Sequence, residues 1–84
     1  MHRPLLACLL PVRNGAEHLD GWLESVGRFA DVVIALDDGS TDDTRARLDA
    51  SPLVEMVLEN SVRPSYAGWD DAGNRARLLA AAAA

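Results

Sequence analysis

Short, mostly apolar runs recur along this chain and are separated by segments of mixed polarity. The runs span residues 5–10, 32–36 and 54–58, and each is followed by proline or by acidic residues. Runs of about four to eight residues are typical of strands that are buried on both faces of a parallel sheet. The pattern therefore predicts three strands over these residues.

Helical periodicity follows the first run. Apolar side chains recur there at the spacing of one helix face, at Ala16, Leu19, Trp22, Leu23 and Val26. Asn14 or Gly15 is expected to cap this helix. Another helix is predicted over about residues 70–84, where the chain is rich in alanine, the residue with the highest helix propensity.

A second helix is predicted between these two, over about residues 41–50. Ser40 and Asp43 have the spacing of a capping box, in which two side chains satisfy backbone donors at the start of a helix. Asp42 and Asp43 also complement the helix dipole, so we expect both to have structural roles. Pro52 ends the helix because the residue before a proline avoids the helical conformation.

The order of these elements predicts an α/β fold of the βαβαβα type, with right-handed crossovers and a mostly parallel sheet. A chain of 84 residues supports one modest core, so residues 1–84 are expected to form a single unit. Three strands leave backbone groups unpaired at both edges of the sheet. The unit is therefore expected to be the opening part of a longer domain, and a homo-oligomer formed through an open edge is an alternative.

Charge and composition narrow the range of partners and locations. The net charge is -5, and the eight arginines are scattered without a basic run, so nucleic acid is not an expected partner. No window approaches the roughly 20 apolar residues that cross a bilayer. The apolar stretch before Cys8 is shorter than a secretory signal, and a lone cysteine suits a reducing compartment. A cytoplasmic location is therefore predicted.

Ligands of open α/β sheets bind beyond the carboxyl ends of the strands. The residues that follow the first two predicted strands are thus the candidates for ligand binding: Pro11, Val12, Arg13, Asn14, Asp37 and Asp38. No G-x-G-x-x-G sequence follows the first strand and the chain has no lysine, which argues against a dinucleotide site and a Walker A loop. The Asp38 carboxylate suits an N–H group of a nucleobase, and Asp37 is expected to serve the same pocket or to brace the turn.

Two sequence segments carry a resemblance to a known family. Residues 9–15 are LLPVRNG, and residues 32–44 are VVIALDDGSTDDT. Together with the helix between them, they resemble the start of a family 2 glycosyltransferase of the GT-A type. The resemblance implies a three-layer, Rossmann-like half of that fold, in which Pro11 and Asp38 hold the nucleoside of a UDP- or GDP-type sugar nucleotide. It also implies transfer of the sugar to an acceptor.

The chain departs from the family pattern at several positions. Arg13 stands where an aromatic residue is usual, and Gly73 stands where the family's A-R-N segment has arginine. Arg75 is then the candidate of this segment for a phosphate contact. No D-x-D sequence occurs, so the ligands of the divalent metal (Mn or Mg) expected in the complete enzyme, and its catalytic base, are expected beyond Ala84. This chain alone is then expected to be inactive. The alternative function is a non-catalytic α/β docking domain that uses its open sheet edge.

Overall fold

A sheet of three parallel strands lies at the centre of the fold. The computed structural model describes residues 6–61 and 69–83. The elements are, in order, β1 (Ala7–Val12), α1 (Ala16–Val26), β2 (Val32–Asp38), α2 (Thr44–Ala50), β3 (Val54–Asn60) and α3 (Asp71–Ala83). The strands lie in the order β1-β2-β3, with β2 in the middle. The predicted α/β fold of the βαβαβα type is confirmed, while Leu5 and Ala84, the outer ends of two predicted elements, lie outside the described residues.

Two hydrophobic clusters pack on opposite faces of β2. Val33 and Ala35 pack with the apolar faces of α1 and α2, whereas Ile34 and Leu36 pack with Leu78 of α3. Successive side chains of a strand point to opposite faces, which explains this division. The sheet therefore lies between a layer formed by α1 and α2 and a layer formed by α3, as predicted.

All three strands continue two residues beyond their predicted carboxyl ends. Pro11 lies inside β1, where its missing N–H group is tolerated because β1 is an edge strand. Asp37 and Asp38 belong to β2, since the parallel pairing continues through them to β1 and β3. The predicted strand ends were wrong because strand pairing, which a local sequence pattern does not show, continues through these residues.

The start of α2 also differs from the prediction. The helix begins at Thr44, and Ser40 does not cap it. The Ser40 hydroxyl instead accepts a hydrogen bond from the backbone N–H of Asn14, at 2.9 Å. The Asp42 carboxylate accepts the N–H of Thr44, at 2.9 Å. The predicted capping box is therefore wrong, whereas the structural role predicted for Asp42 is confirmed.

The helices are short compared with the thickness of a membrane. They contain 11, 7 and 13 residues, against the roughly 20 apolar residues that a bilayer requires. Within the described part of the chain, none is long and apolar enough to cross a membrane.

Candidate functional site

The carboxyl ends of β1 and β2 lie side by side at one edge of the sheet. Pro11 is paired with Leu36 and Val12 with Asp37 in the parallel register. The loops that follow these strands are therefore neighbours. Four of the six predicted binding residues belong to the strand ends, and the other two, Arg13 and Asn14, lie in the loop after β1. Asn60, at the end of β3, is paired with Asp38 and lies at the same edge.

Hydrogen bonds join the two loops into a unit that we call the loop clasp, formed by Asn14, Gly15, Ser40, Thr41 and Thr44. In addition to the Asn14–Ser40 bond, the Gly15 N–H donates to the Thr44 hydroxyl at 2.9 Å. The side-chain oxygen of Asn14 accepts the N–H of Thr41 at 2.7 Å. Asn14 has a left-handed backbone with φ 51°, which aspartate and asparagine tolerate better than most residues. The side chain of Asn14 is thus used to hold the loops together.

One carboxylate serves the starts of both helices next to the clasp. The two oxygens of Asp42 accept different first-turn donors, one from Thr44 of α2 and the other from Ala16 of α1, the latter at 3.3 Å. Burial raises the pKa of Asp42, but hydrogen bonds from Thr44 and Ala16 lower it more, so the pKa lies below its ordinary value of 3.8. The ionised form of Asp42 is therefore the form that stabilises this edge of the fold.

The two adjacent aspartates of β2 lie on opposite faces of the sheet. Asp37 follows the alternation of Val33 and Ala35 toward α1 and α2. One of its carboxylate oxygens accepts the N–H of Ser40 at 3.2 Å, so Asp37 braces the turn. Asp38 lies on the α3 face and is only 1% exposed. The two carboxylates therefore do not line one pocket in this structure.

Asp38 belongs to a group of polar side chains that we call the α3-face cluster, formed by Asp38, Asn60, Asn74 and Arg77. The side-chain amide of Asn60 donates to an oxygen of Asp38, at 2.5 Å, and to the oxygen of Asn74, at 3.0 Å. Arg77 donates to the side-chain oxygen of Asn60. The Nδ2 group of Asn74 is buried and has no hydrogen-bond partner among the described residues. The cluster thus connects a buried carboxylate to an exposed guanidinium group.

Sequence reasoning missed three members of this cluster. Asn60 could have been identified from the sequence, because it follows the third predicted strand and ligands bind beyond the carboxyl ends of strands. Asn74 and Arg77 are three residues apart on one helix and therefore share a face. Only the packing of α3 against the sheet shows that this face meets Asp38.

The remaining predicted contacts lie around this edge in different environments. Pro11 is paired with Leu36 and shares its α3 face, whereas Val12 packs with the α1 and α2 cluster. Arg13 is buried, with 6% exposure. The side chain of Arg75 is 67% exposed and pairs with Asp71 one helical turn earlier, at 2.7 Å.

Two cavities lie on the other face of the sheet. One, of about 370 Å³, lies between α1 and α2, and its lining includes Asp20 and Arg47. A second, of about 150 Å³, lies between β1 and α1, and its lining includes Val12 and Trp22. Neither is lined by Asp38. Asp38, the predicted nucleoside contact, therefore does not lie in either of these cavities.

The acidic side chains at this edge do not form a metal site. Across residues 6–61 and 69–83, no three histidine, cysteine, aspartate or glutamate side chains are grouped in a way that would hold a metal ion. Asp37 and Asp38 point to opposite faces, and Asp42 is engaged by two helix starts. These residues do not fit the divalent metal expected from the sequence, and we assign no reaction step to it.

Comparison with known proteins found no relative. A scan against protein-family models, a search of curated proteins and a search of solved structures each returned no match. The functional interpretation therefore depends on the geometry of this edge and on the sequence resemblance.

Proposed function

We propose that this chain is the nucleoside-binding part of a glycosyltransferase, which transfers a sugar from a nucleoside-diphosphate donor of the UDP or GDP type to an acceptor. The observation that carries the proposal is the position of Asp38. Its carboxylate lies at the carboxyl end of the middle strand, on the same face as Pro11 of the neighbouring strand. This is the edge at which open α/β sheets bind their ligands.

The chemistry of Asp38 suits a nucleoside. A carboxylate accepts N–H and O–H groups, and such charge-assisted bonds are stronger than neutral ones. A carboxylate also offers about four acceptor positions, so one carboxylate accepts from several donors at once. Because Asp38 is almost fully buried, a ligand must share this carboxylate with its partners in the protein, of which Asn60 is one, or displace one of them. The loop clasp supports the proposal by fixing the backbone on either side of the site.

The charge of the chain bears on the rest of the donor. The net charge of -5 opposes the approach of a diphosphate, so we propose that the complete enzyme also uses a divalent cation of the Mn or Mg type, with ligands from outside the described residues. We also propose a cytoplasmic location, since Cys8 is a free thiol.

A second candidate function is a non-catalytic docking domain. It is favoured by the two outer strands: within the described chain, no further strand pairs with the open side of β1 or of β3. All six residues of β1 are only half-buried. Such edges are templates for pairing with another chain, either a different protein or a second copy of this one.

Calorimetric titration distinguishes the two functions. UDP and GDP are titrated, with and without manganese, into the wild-type chain, into Asp38→Asn and into the matched variant Asp37→Asn. Asparagine keeps the shape of each side chain and one acceptor oxygen but removes the charge. We expect Asp38→Asn to weaken nucleotide binding by about tenfold or more, since a hydrogen bond to a charged group contributes about 1.5 to 3 kcal/mol. Asp37→Asn is expected to bind like the wild type.

Equal binding by the wild type and Asp38→Asn would contradict the proposed site. If no form binds a nucleotide while circular dichroism shows a folded chain, the docking function is favoured. That function then predicts a concentration-dependent mass in light scattering, or capture of a partner that competes with β1 pairing.

A further inference from the structure

Arg77 differs in its partners from three other arginines of the described chain. Arg45, Arg47 and Arg75 each form an ion pair with an aspartate or glutamate. Arg77 forms none with the acidic side chains of the described residues and donates instead to the neutral side-chain oxygen of Asn60. Within the described residues its positive charge is therefore not paired with a carboxylate, although the chain has 13 acidic residues and only 8 arginines.

The position of Arg77 connects it with the proposed nucleoside site. Asn60 lies between Arg77 and Asp38 and bonds to both. One end of the α3-face cluster is thus the buried carboxylate of Asp38, and the other end is an exposed guanidinium group. A ligand that bonds Asp38 and extends past Asn60 toward solvent therefore reaches Arg77.

A second observation shows that the cluster has an unfilled hydrogen-bonding position. Asn74 is only 3% exposed, and its Nδ2 donor has no partner among the described residues. Its orientation follows from its neighbours, because Asn60 donates to the oxygen of Asn74. Buried donors are nearly always satisfied, so this group is a donor that an additional acceptor at the cluster would complete.

We propose that Arg77 binds the phosphate groups of the nucleotide whose nucleoside is bound at Asp38. The inference rests on the proposed function and adds the residue that contacts the diphosphate. A guanidinium group is suited to this task because its planar set of donors matches phosphate oxygens. Arg75, which the sequence suggested for this contact, is exposed on another side of α3 and is engaged by Asp71.

The test compares nucleosides with their diphosphates on the full 84-residue chain. Uridine, UDP, guanosine, GDP and inorganic pyrophosphate are titrated by calorimetry at constant ionic strength, with EDTA present so that a metal ion does not contribute. We expect the wild type to bind one diphosphate about tenfold more tightly than its nucleoside. Arg77→Gln is expected to remove that gain, so that this variant binds the diphosphate no more tightly than it binds the nucleoside. The matched variant Arg75→Gln is expected to keep the gain.

The outcomes separate this inference from the proposed function. If nucleoside and diphosphate bind equally to the wild type, or if Arg77→Gln keeps the gain, the role of Arg77 is refuted while the nucleoside site stands. If pyrophosphate alone binds as tightly as the diphosphate, the site is a general anion site and the inference also fails. If the nucleosides do not bind, or bind equally to Asp38→Asn, the proposed function fails and the inference falls with it.

Discussion

The Asp42 side chain allows a quantitative test of how the carboxyl end of the sheet, where the proposed site lies, is stabilised. Its two carboxylate oxygens accept the first N–H groups of α1 and α2, at 3.3 and 2.9 Å. Loss of a capping side chain costs about 1 kcal/mol. The longer bond to Ala16 is the weaker of the two, so we expect Asp42→Ala to lower the free energy of unfolding by about 1.5 kcal/mol. For a chain of this size, that corresponds to a fall of roughly 6 to 12 °C in Tm.

The neighbouring residue is the matched control. Asp43 contributes an exposed pair with Arg47, at 3.1 Å, and its side chain makes no capping hydrogen bond. Such pairs contribute about 0.3 to 0.5 kcal/mol, so Asp43→Ala is expected to change stability by no more than this. Urea and thermal unfolding at pH 7, followed by circular dichroism, measure both variants. Equal losses for the two variants would refute the shared-cap argument.

The pH dependence of unfolding tests the same carboxylate in a different way. Burial raises the pKa of Asp42, but the hydrogen bonds from Thr44 and Ala16 outweigh it and lower the pKa in the folded chain below 3.8. A group whose pKa is lower in the folded state stabilises the fold above its unfolded pKa, about 3.9, and loses this contribution as the pH falls through the folded value. Urea midpoints measured from pH 5 to pH 2 should therefore fall more steeply for the wild type than for Asp42→Asn. Parallel curves would contradict this assignment.

Three further substitutions test the packing and the loop clasp. Leu78→Ala removes a side chain that lies between α3 and the sheet and is 1% exposed. It should lower the free energy of unfolding, measured with a chemical denaturant, by about 2 to 5 kcal/mol. Leu79 is 56% exposed, so Leu79→Ala should lower it by about 0.5 kcal/mol or less. Similar costs for the two leucines would mean that α3 does not pack as described. Ser40→Ala removes the acceptor of the Asn14 N–H group and should cost about 1 kcal/mol in the same assay, and a neutral result would show that the clasp does not stabilise the fold.

The order and type of the elements were predictable because the local spacing of apolar residues indicates which faces are buried. The continuous apolar runs around Leu9 and Ile34 are typical of buried strands. The helical spacing of apolar residues from Ala16 to Val26 is typical of a helix with one buried face. The ends of the strands were not predictable in this way. Asp37, Asp38 and Asn60 have the composition of a loop, and only the pairing of the strands shows that they remain in the sheet.

The only part of the candidate site that was predictable is the part that follows from the order of the strands and helices along the chain. Parallel strands place Pro11 and Asp38 at one edge, so that part of the expectation follows from topology. The partners of Ser40 and Asp38 lie 26 and 22 residues away in sequence, and no local pattern indicates them. The capping box failed for this reason, because Ser40 is engaged by Asn14 rather than by its own helix. The meeting of Arg77 with Asn60 likewise depends on how α3 packs on the sheet.

The most direct measurement of the central claim is the mapping of a bound nucleoside on the chain by NMR. In ¹⁵N-correlated spectra, uridine or guanosine is predicted to shift the backbone amides of Val12, Asp38 and Gly39 together with the side-chain amides of Asn60 and Asn74. These groups share the carboxyl edge of the sheet with Asp38. Shifts confined to the opposite edge, around Ala30 and Leu53, or spectra that do not change at saturating nucleoside, would contradict the assignment of a nucleoside site to this edge.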